Sequence, residues 1–79
     1  MTHCEAIIEA LQALGGEATI SEVDEWVNRN YPNRWKSSST SLADMVPEDK
    51  GGNPSSLVPP HFRVLERVER GRYKLTHLL

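Results

Sequence analysis

Glycine and proline residues divide this sequence into short segments, and this division limits the fold more than any other feature. Gly15-Gly16 can end one helix, and Pro32 and Pro47 can end two more. Gly71 falls between two runs whose composition favours strands. A chain of 79 residues supports one domain with a small core. The pattern predicts a single α+β domain over residues 1–79, with three helices, a short first strand and a C-terminal β-hairpin.

The first half of the sequence contains the clearest helix signals. Thr2 and Glu5 have the spacing of a capping box at the start of the first helix. Its predicted buried stripe consists of Ile7, Ala10, Leu11 and Leu14. A short strand near 17–20 precedes the second helix, for which Ser21 is the predicted N-cap, with Asp24 three residues later. The predicted inner face of the second helix consists of Val23, Trp26, Val27 and Asn30.

A third, short helix at residues 38–46 completes the helical part, residues 1–46. The preceding serines offer several N-caps, and Leu42, Met45 and Val46 have the spacing of an inward face. A proline- and glycine-rich loop follows at residues 47–60. We expect Leu57 and Val58 to hold this loop against the core.

The segment from 61 to 75 is predicted to form the hairpin. Apolar Phe62, Val64 and Val68 alternate with Arg63 and Arg67, as in a strand with one buried face. A helical turn at residues 61–65 before the strand is the alternative.

The turn of this hairpin sets its register. If Arg70-Gly71 are the two turn residues, Glu69 pairs with Arg72, Val68 pairs with Tyr73, and Arg67 pairs with Lys74. Like charges at opposite positions destabilise a hairpin. This register therefore indicates either bases that bind phosphates or an edge strand whose charges prevent pairing with other chains.

Charge is distributed unevenly along the chain. Residues 1–28 contain six acidic residues and no lysine or arginine, whereas residues 29–79 contain nine basic and five acidic residues. No apolar run approaches the length of a membrane span, and the N-terminus lacks a secretory signal. These features predict a cytoplasmic protein without membrane contact.

Few residues have the pattern of a chemical site. The single cysteine, Cys4, excludes an intramolecular disulfide and a zinc site built on paired thiolates. The spacings of His3, Cys4, His61 and His77 match no zinc-ligand pattern. We find no arrangement typical of a nucleophile with its base, and no phosphate-binding glycine motif. We therefore expect no metal, no cofactor, no small-molecule substrate and no enzymatic activity.

Three stretches of the sequence resemble a known group of proteins. The stretches "ALGGEATISEVDEWV", "YPNRWK" and "VERGRYKL" are similar to winged helix-turn-helix modules of the HARE type, and to those of bacterial restriction-system and transcription proteins. In that group a Leu-Gly-Gly turn precedes a short strand and a helix, and an Arg-Gly-Arg-Tyr-like stretch closes the wing. The resemblance covers nearly the whole chain and implies a winged-helix fold.

The resemblance also implies that the domain binds double-stranded DNA. The third helix would enter the major groove, and the Arg70-Gly71 tip would reach the backbone or the adjacent minor groove. A phosphate at the helix start would be held by Ser37, Ser38 and Ser39. The side chains nearest the base edges would be Thr40 and Ser41. Positive charge would come from Arg34, Lys36, Arg67, Arg70, Arg72 and Lys74.

Two functions are compatible with these features. The first is a DNA-binding module that contacts duplex DNA mainly through phosphates, in a transcription regulator or a restriction-system protein. The second is a protein-interaction module that binds a partner or a fused neighbouring domain through its acidic first two helices, or through Trp35 and the proline-rich loop. Trp26 is predicted to lie in the core, and Trp35 either fills the gap between the second and third helices or is exposed.

Overall fold

The computed structural model describes residues 2–55 and 58–76, so the predicted contact of Leu57 lies outside the described residues. The described helices are α1 (His3–Ala13), α2 (Ile20–Asn30) and α3 (Ser39–Asp44). The strands, β1 (Glu17–Thr19), β2 (Leu65–Glu69) and β3 (Arg72–Leu75), form an antiparallel sheet in the order β1-β3-β2. Two 3-10 turns, Glu48–Lys50 and Pro60–Phe62, lie between α3 and β2. The predicted α+β class is confirmed.

Helix α1 begins and ends where local signals predict. Thr2 Oγ1 accepts the Glu5 N–H at 3.2 Å, and Glu5 Oε1 accepts the Thr2 N–H at 2.9 Å. At the other end, the Gly16 N–H bonds to the Leu11 carbonyl at 2.7 Å. Gly15 and Gly16 have φ values of 92° and 95°, the left-handed region that favours glycine. The chain then enters β1 directly.

Helix α2 has its N-cap two residues earlier than predicted. Its N-cap is Thr19, whose hydroxyl accepts the Glu22 N–H, and the Glu22 carboxylate accepts the Thr19 N–H at 2.8 Å. Thr19 is also the last residue of β1, and the extended backbone of a strand is the geometry that an N-cap needs. Ser21 therefore lies inside the helix, exposed, and the prediction that it caps α2 is wrong. Asp24 has a different partner, described below.

The core lies where the three helices meet the sheet. Its largest fully buried side chains are Ile7, Leu11, Val23, Leu42, Met45 and Leu65. The inward face predicted for the third helix is confirmed, although α3 itself ends at Asp44 and is only six residues long. Two predicted core positions are wrong: Asn30 is exposed, and Leu14 is 36% exposed because α1 ends before it. Trp26 is only half-buried.

The segment that precedes β2 is a 3-10 turn, in agreement with the alternative of a helical turn. Phe62 ends this turn and is half-buried. Arg63 does not face solvent as predicted, because its guanidinium donates to the carbonyls of Val46, Asn53 and Val58. Arg63 thereby holds the 47–60 connection to the domain.

The hairpin keeps its predicted register at only one pair, the one next to the turn. The turn at Arg70-Gly71 is confirmed, with Gly71 at a φ of 78°, and Glu69 pairs with Arg72. A bulge at Val68 then shifts the ladder by one residue, because this residue has no counterpart on β3. The remaining pairs are Arg67 with Tyr73, Glu66 with Lys74, and Leu65 with Leu75. Val68 is consequently 45% exposed instead of facing the core.

Among the helices of the described residues, we find none with the length and apolar character that crossing a bilayer requires.

Candidate functional site

Apart from Arg63, which is bonded to backbone carbonyls, the basic residues fall into two groups, and the first group is bound to carboxylates. The pairs are Arg29 with Glu25 at 2.6 Å, Lys50 with Glu66 at 3.6 Å, Lys74 with Glu66 at 3.4 Å, and Arg72 with Glu69 at 3.0 Å and Glu17 at 3.5 Å. Two of these bases, Arg72 and Lys74, were predicted to contact DNA. The shift caused by the bulge places Lys74 opposite Glu66 instead of Arg67. The predicted row of like charges across the hairpin is therefore wrong.

The second group consists of bases that have no carboxylate partner within the described residues. They are Arg34, Lys36, Arg67 and Arg70, and all four are exposed. Arg34 lies over the ring of Trp35, with its guanidinium carbon 5.1 Å from the ring centroid. Arg34 and Lys36 lie in the segment before α3, and Arg67 and Arg70 lie on the hairpin.

One member of the second group lies beside α3. Arg67, Lys50 and Tyr73 line a small hollow of about 60 Å³ together with Ala43 and Val46. Ala43 belongs to the exposed face of α3, so the hairpin presents a base next to that face. A ligand that contacts the exposed side of α3 would also meet the Arg67 guanidinium.

The serine-rich start of α3 is occupied from inside the molecule. The Ser38 N–H donates to Asp24 Oδ1 at 2.7 Å, and the Ser39 N–H donates to Ser37 Oγ at 3.3 Å. Ser38 is 1% exposed. Because its amide already has a charged acceptor and its side chain is buried, Ser38 has no free group in this structure for the phosphate predicted there. Ser37 and Ser39 are exposed and lie beside this buried residue.

A histidine that sequence reasoning assigned no role connects α1 to the same segment. His3 Nε2 lies 3.0 Å from Ser38 Oγ, and His3 Nδ1 lies 3.1 Å from Ser41 Oγ. Burial lowers the pKa of His3, and the negative charge of Asp24 opposes this effect. Ser41 is thus directed toward His3 and is half-buried, whereas Thr40 is exposed. Of the two residues predicted nearest the base edges, Thr40 alone is exposed.

Aromatic rings complete the support of this segment. The ring of Trp35 stacks on His3 with centroids 4.8 Å apart and planes 6° apart. Tyr31 meets Trp35 edge-on at 6.2 Å and donates its hydroxyl to Glu9 Oε1 at 2.9 Å. This hydrogen bond raises the pKa of Tyr31. Trp35 is half-buried and packs against the core, so the alternative of an exposed Trp35 is wrong.

Most of the acidic side chains already have partners inside the protein. Glu5 and Glu22 cap helices, and the hydrogen bonds from Thr2 and Thr19 lower the pKa of each. The other carboxylates with a hydrogen-bond or ion-pair partner are Glu9, Glu17, Asp24, Glu25, Glu66 and Glu69. The net charge of −2 therefore does not describe which charges are available to a ligand.

Cys4 and the histidines of the described residues form no metal site. Within residues 2–55 and 58–76, no three His, Cys, Asp or Glu side chains are grouped so that they could hold a metal ion, and His77 lies outside these residues. Burial, Asp44 and Glu5 raise the pKa of the half-buried Cys4 thiol, in that order of effect. A raised pKa makes this thiol a poor nucleophile.

The sequence matches no protein-family model, and no curated protein or solved structure is significantly similar to it. Function must therefore be inferred from the geometry described above. The feature that stands out in this geometry is the set of four exposed, carboxylate-free bases, Arg34, Lys36, Arg67 and Arg70.

Proposed function

We propose that this domain is a winged-helix module that binds duplex DNA mainly through its phosphates. The observation that carries the proposal is the placement of the four bases without carboxylate partners. Arg34 and Lys36 precede α3, and Arg67 and Arg70 lie on the hairpin that follows it, with Arg67 beside Ala43 of α3. An exposed arginine without an internal partner can hold a phosphate through two parallel hydrogen bonds.

The order of the elements supports the winged-helix interpretation. Helix, short strand, two helices and a hairpin is the order in which a winged helix-turn-helix places a recognition helix and then a wing. In such a module α3 would enter the major groove, and Arg70 at the hairpin turn would reach the backbone or the minor groove. Glu17, Glu25, Glu66 and Glu69 are ion-paired with bases inside the protein, so the four bases without carboxylate partners remain as local positive charge although the net charge is negative.

The composition of α3 favours binding that depends little on sequence. Thr40 and Ala43 occupy its exposed face, and neither can make the bidentate base contacts of arginine, lysine, asparagine or glutamine. The phosphate contacts therefore supply most of the affinity. Selection of a DNA site would come from a partner or a neighbouring domain, as in a transcription regulator or a restriction-system protein.

The first test compares two arginines that lie two residues apart on the hairpin. A labelled random-sequence duplex is titrated with the wild-type domain, Arg70→Ala and Arg72→Ala, and fluorescence anisotropy is recorded at several salt concentrations. The two variants change the net charge equally, but only Arg72 is bound to carboxylates. We expect Arg70→Ala to weaken binding several-fold and to reduce the salt slope by about 0.9, the value for one phosphate contact. Arg72→Ala should retain the wild-type slope.

Two results would contradict the proposal. Absence of binding by the folded wild-type domain at low salt would exclude DNA as its ligand and would favour a protein partner. Equal losses in the two variants would show that net charge, and not a positioned guanidinium, determines binding.

A further inference from the structure

Two large apolar side chains stand out at the surface of the described residues, and their surroundings have opposite charge. Leu14, at the end of α1, is 36% exposed, and Val68, at the bulge of β2, is 45% exposed. Leu14 lies beside glutamates of α2, whereas Val68 follows Arg67 and lies two residues before Arg70. Opposite charge around two exposed apolar groups is the complementarity that an interface requires.

Leu14, the exposed side chain with acidic surroundings, lies in a groove. Leu14 and Trp26 line a hollow of about 210 Å³ together with Glu22, Glu25 and Arg29. Glu22 Oε1 accepts the Thr19 N–H and Glu25 Oε1 pairs with Arg29, but each carboxylate has a second oxygen that these bonds do not use. The groove therefore combines a half-buried tryptophan and an exposed leucine with two carboxylates that can each accept a further hydrogen bond.

Val68, the exposed side chain with basic surroundings, lies on β2, the edge strand of the hairpin. The bulge turns Val68 out of the ladder, and Arg67 and Arg70 on either side of it are exposed without carboxylate partners in the described chain. Val68 lies among Arg67, Glu69 and Arg70, and because Glu69 is paired with Arg72, the two arginines are the charges left to meet the carboxylates of the groove. Arginine and tryptophan are also the residues that most often carry the binding energy of protein interfaces.

We propose that the hairpin of one copy of this chain docks into the α1–α2 groove of a second copy. Val68 of one copy contacts Leu14 and Trp26 of the other, and Arg67 and Arg70 pair with Glu22 and Glu25. The Gly71 carbonyl accepts the Ile20 N–H at 2.9 Å, so the hairpin turn lies beside the start of α2, which carries Glu22. In the proposed dimer docking is reciprocal, so each hairpin occupies the groove of the other copy around a two-fold axis, and such an assembly closes at two copies.

The contact is small, and the dimer is correspondingly weak. One hairpin edge and one groove on each copy make a small contact of the kind that transient complexes use. The inference does not rest on DNA binding, and its test contains no DNA.

The test uses one variant that lacks a working groove and one that lacks a working hairpin edge. Leu14→Lys places a positive charge in the groove, and Val68→Asp places a negative charge between the arginines. Both positions are exposed, so each variant should fold, and a dispersed amide NMR spectrum verifies this. Sedimentation of the wild type should show a concentration-dependent dimer, with a dissociation constant of about 0.1–1 mM, and each variant alone should remain monomeric.

The decisive measurement mixes the two variants. Isotope-labelled Val68→Asp, whose groove is intact, is titrated with unlabelled Leu14→Lys, whose hairpin is intact. We expect the indole N–H signal of Trp26 to shift, while that of Trp35, which is stacked on His3, stays in place. Titration with unlabelled Val68→Asp is the matched control, because it supplies the same chain without a working hairpin edge.

The outcomes separate cleanly. A Trp26 shift produced by Leu14→Lys and absent with Val68→Asp supports the docking of hairpin into groove. A wild type that stays monomeric at the highest concentration, a variant that still dimerises alone, or a mixture that leaves Trp26 unmoved would each overturn it.

Discussion

The segment before α3 and the hairpin after it both contain polar groups suited to phosphate, but the two differ in what occupies those groups. Before α3, the Ser38 amide is bound to Asp24, and its hydroxyl is bound to His3. On the hairpin, Arg67, whose pairing the bulge shifts, and Arg70, in the turn, are exposed and without carboxylate partners in the described chain. The comparison teaches that residue type alone does not make a group available to a ligand. Availability depends on partners that other elements supply.

The largest expected effect comes from removing Asp24, which accepts the Ser38 N–H before α3. Asp24→Ala leaves the buried Ser38 N–H without its acceptor and should lower the free energy of unfolding by about 1–3 kcal/mol. Glu25→Ala is the matched control, because it removes a neighbouring carboxylate whose ion pair with Arg29 is exposed. Urea denaturation of both variants measures the difference. Equal losses would mean that the Asp24–Ser38 bond does not determine the position of this segment.

A smaller effect on the free energy of unfolding should distinguish Arg72 from Arg70 on the hairpin. Arg72→Ala breaks ion pairs with Glu17 and Glu69 and should cost about 0.5–1 kcal/mol, the range of partly exposed pairs. Arg70→Ala should leave the free energy of unfolding within about 0.5 kcal/mol of the wild type, because its side chain is exposed. Together with the DNA titration, Arg70 would then affect binding without stability, and Arg72 stability without binding. A destabilised Arg70→Ala would break the comparison.

The smallest expected effect is a pH dependence of the free energy of unfolding that comes from His3, which contacts the segment before α3. Burial lowers the pKa of His3 below its ordinary value of 6.5 in the folded protein, so the unfolded chain binds a proton at a higher pH than the folded chain does. The free energy of unfolding therefore decreases as pH falls below about 6.5.

The His3→Gln variant tests this dependence. The free energy of unfolding is measured for wild type and variant between about pH 7 and pH 5. We expect a flatter profile in His3→Gln, because it removes the group whose pKa differs between the two states. Identical slopes would show that protonation of His3 is not coupled to folding.

The parts of the fold that local signals specify could be predicted from the sequence. The Thr2–Glu5 capping box and the Gly15-Gly16 turn depend on residues a few positions apart, and both are confirmed. The N-cap of α2 carries the same local signal, since Thr19 and Glu22 have capping-box spacing, but Ser21 is also a good N-cap by residue type, and the extended backbone that Thr19 takes in the sheet decides between the two.

The candidate site shows the same limit more strongly. The four exposed bases could be named from the sequence, but Arg72 and Lys74 could not be separated from them without knowing the bulge at Val68. The roles of His3 and Asp24 depend on contacts across 35 and 14 residues of sequence. Neither contact has a periodic signal in the sequence, and each is decided by the packing of whole helices.

The strand order in the sheet also determines when each strand can find its partners as the chain is synthesised. β3 comes last among the described elements, yet it is the central strand, joined to β1 on one side and to β2 on the other. A ribosome therefore releases both edges of the sheet before the strand that connects them. The sheet on which the helices pack is therefore complete only once Arg72–Leu75 has emerged.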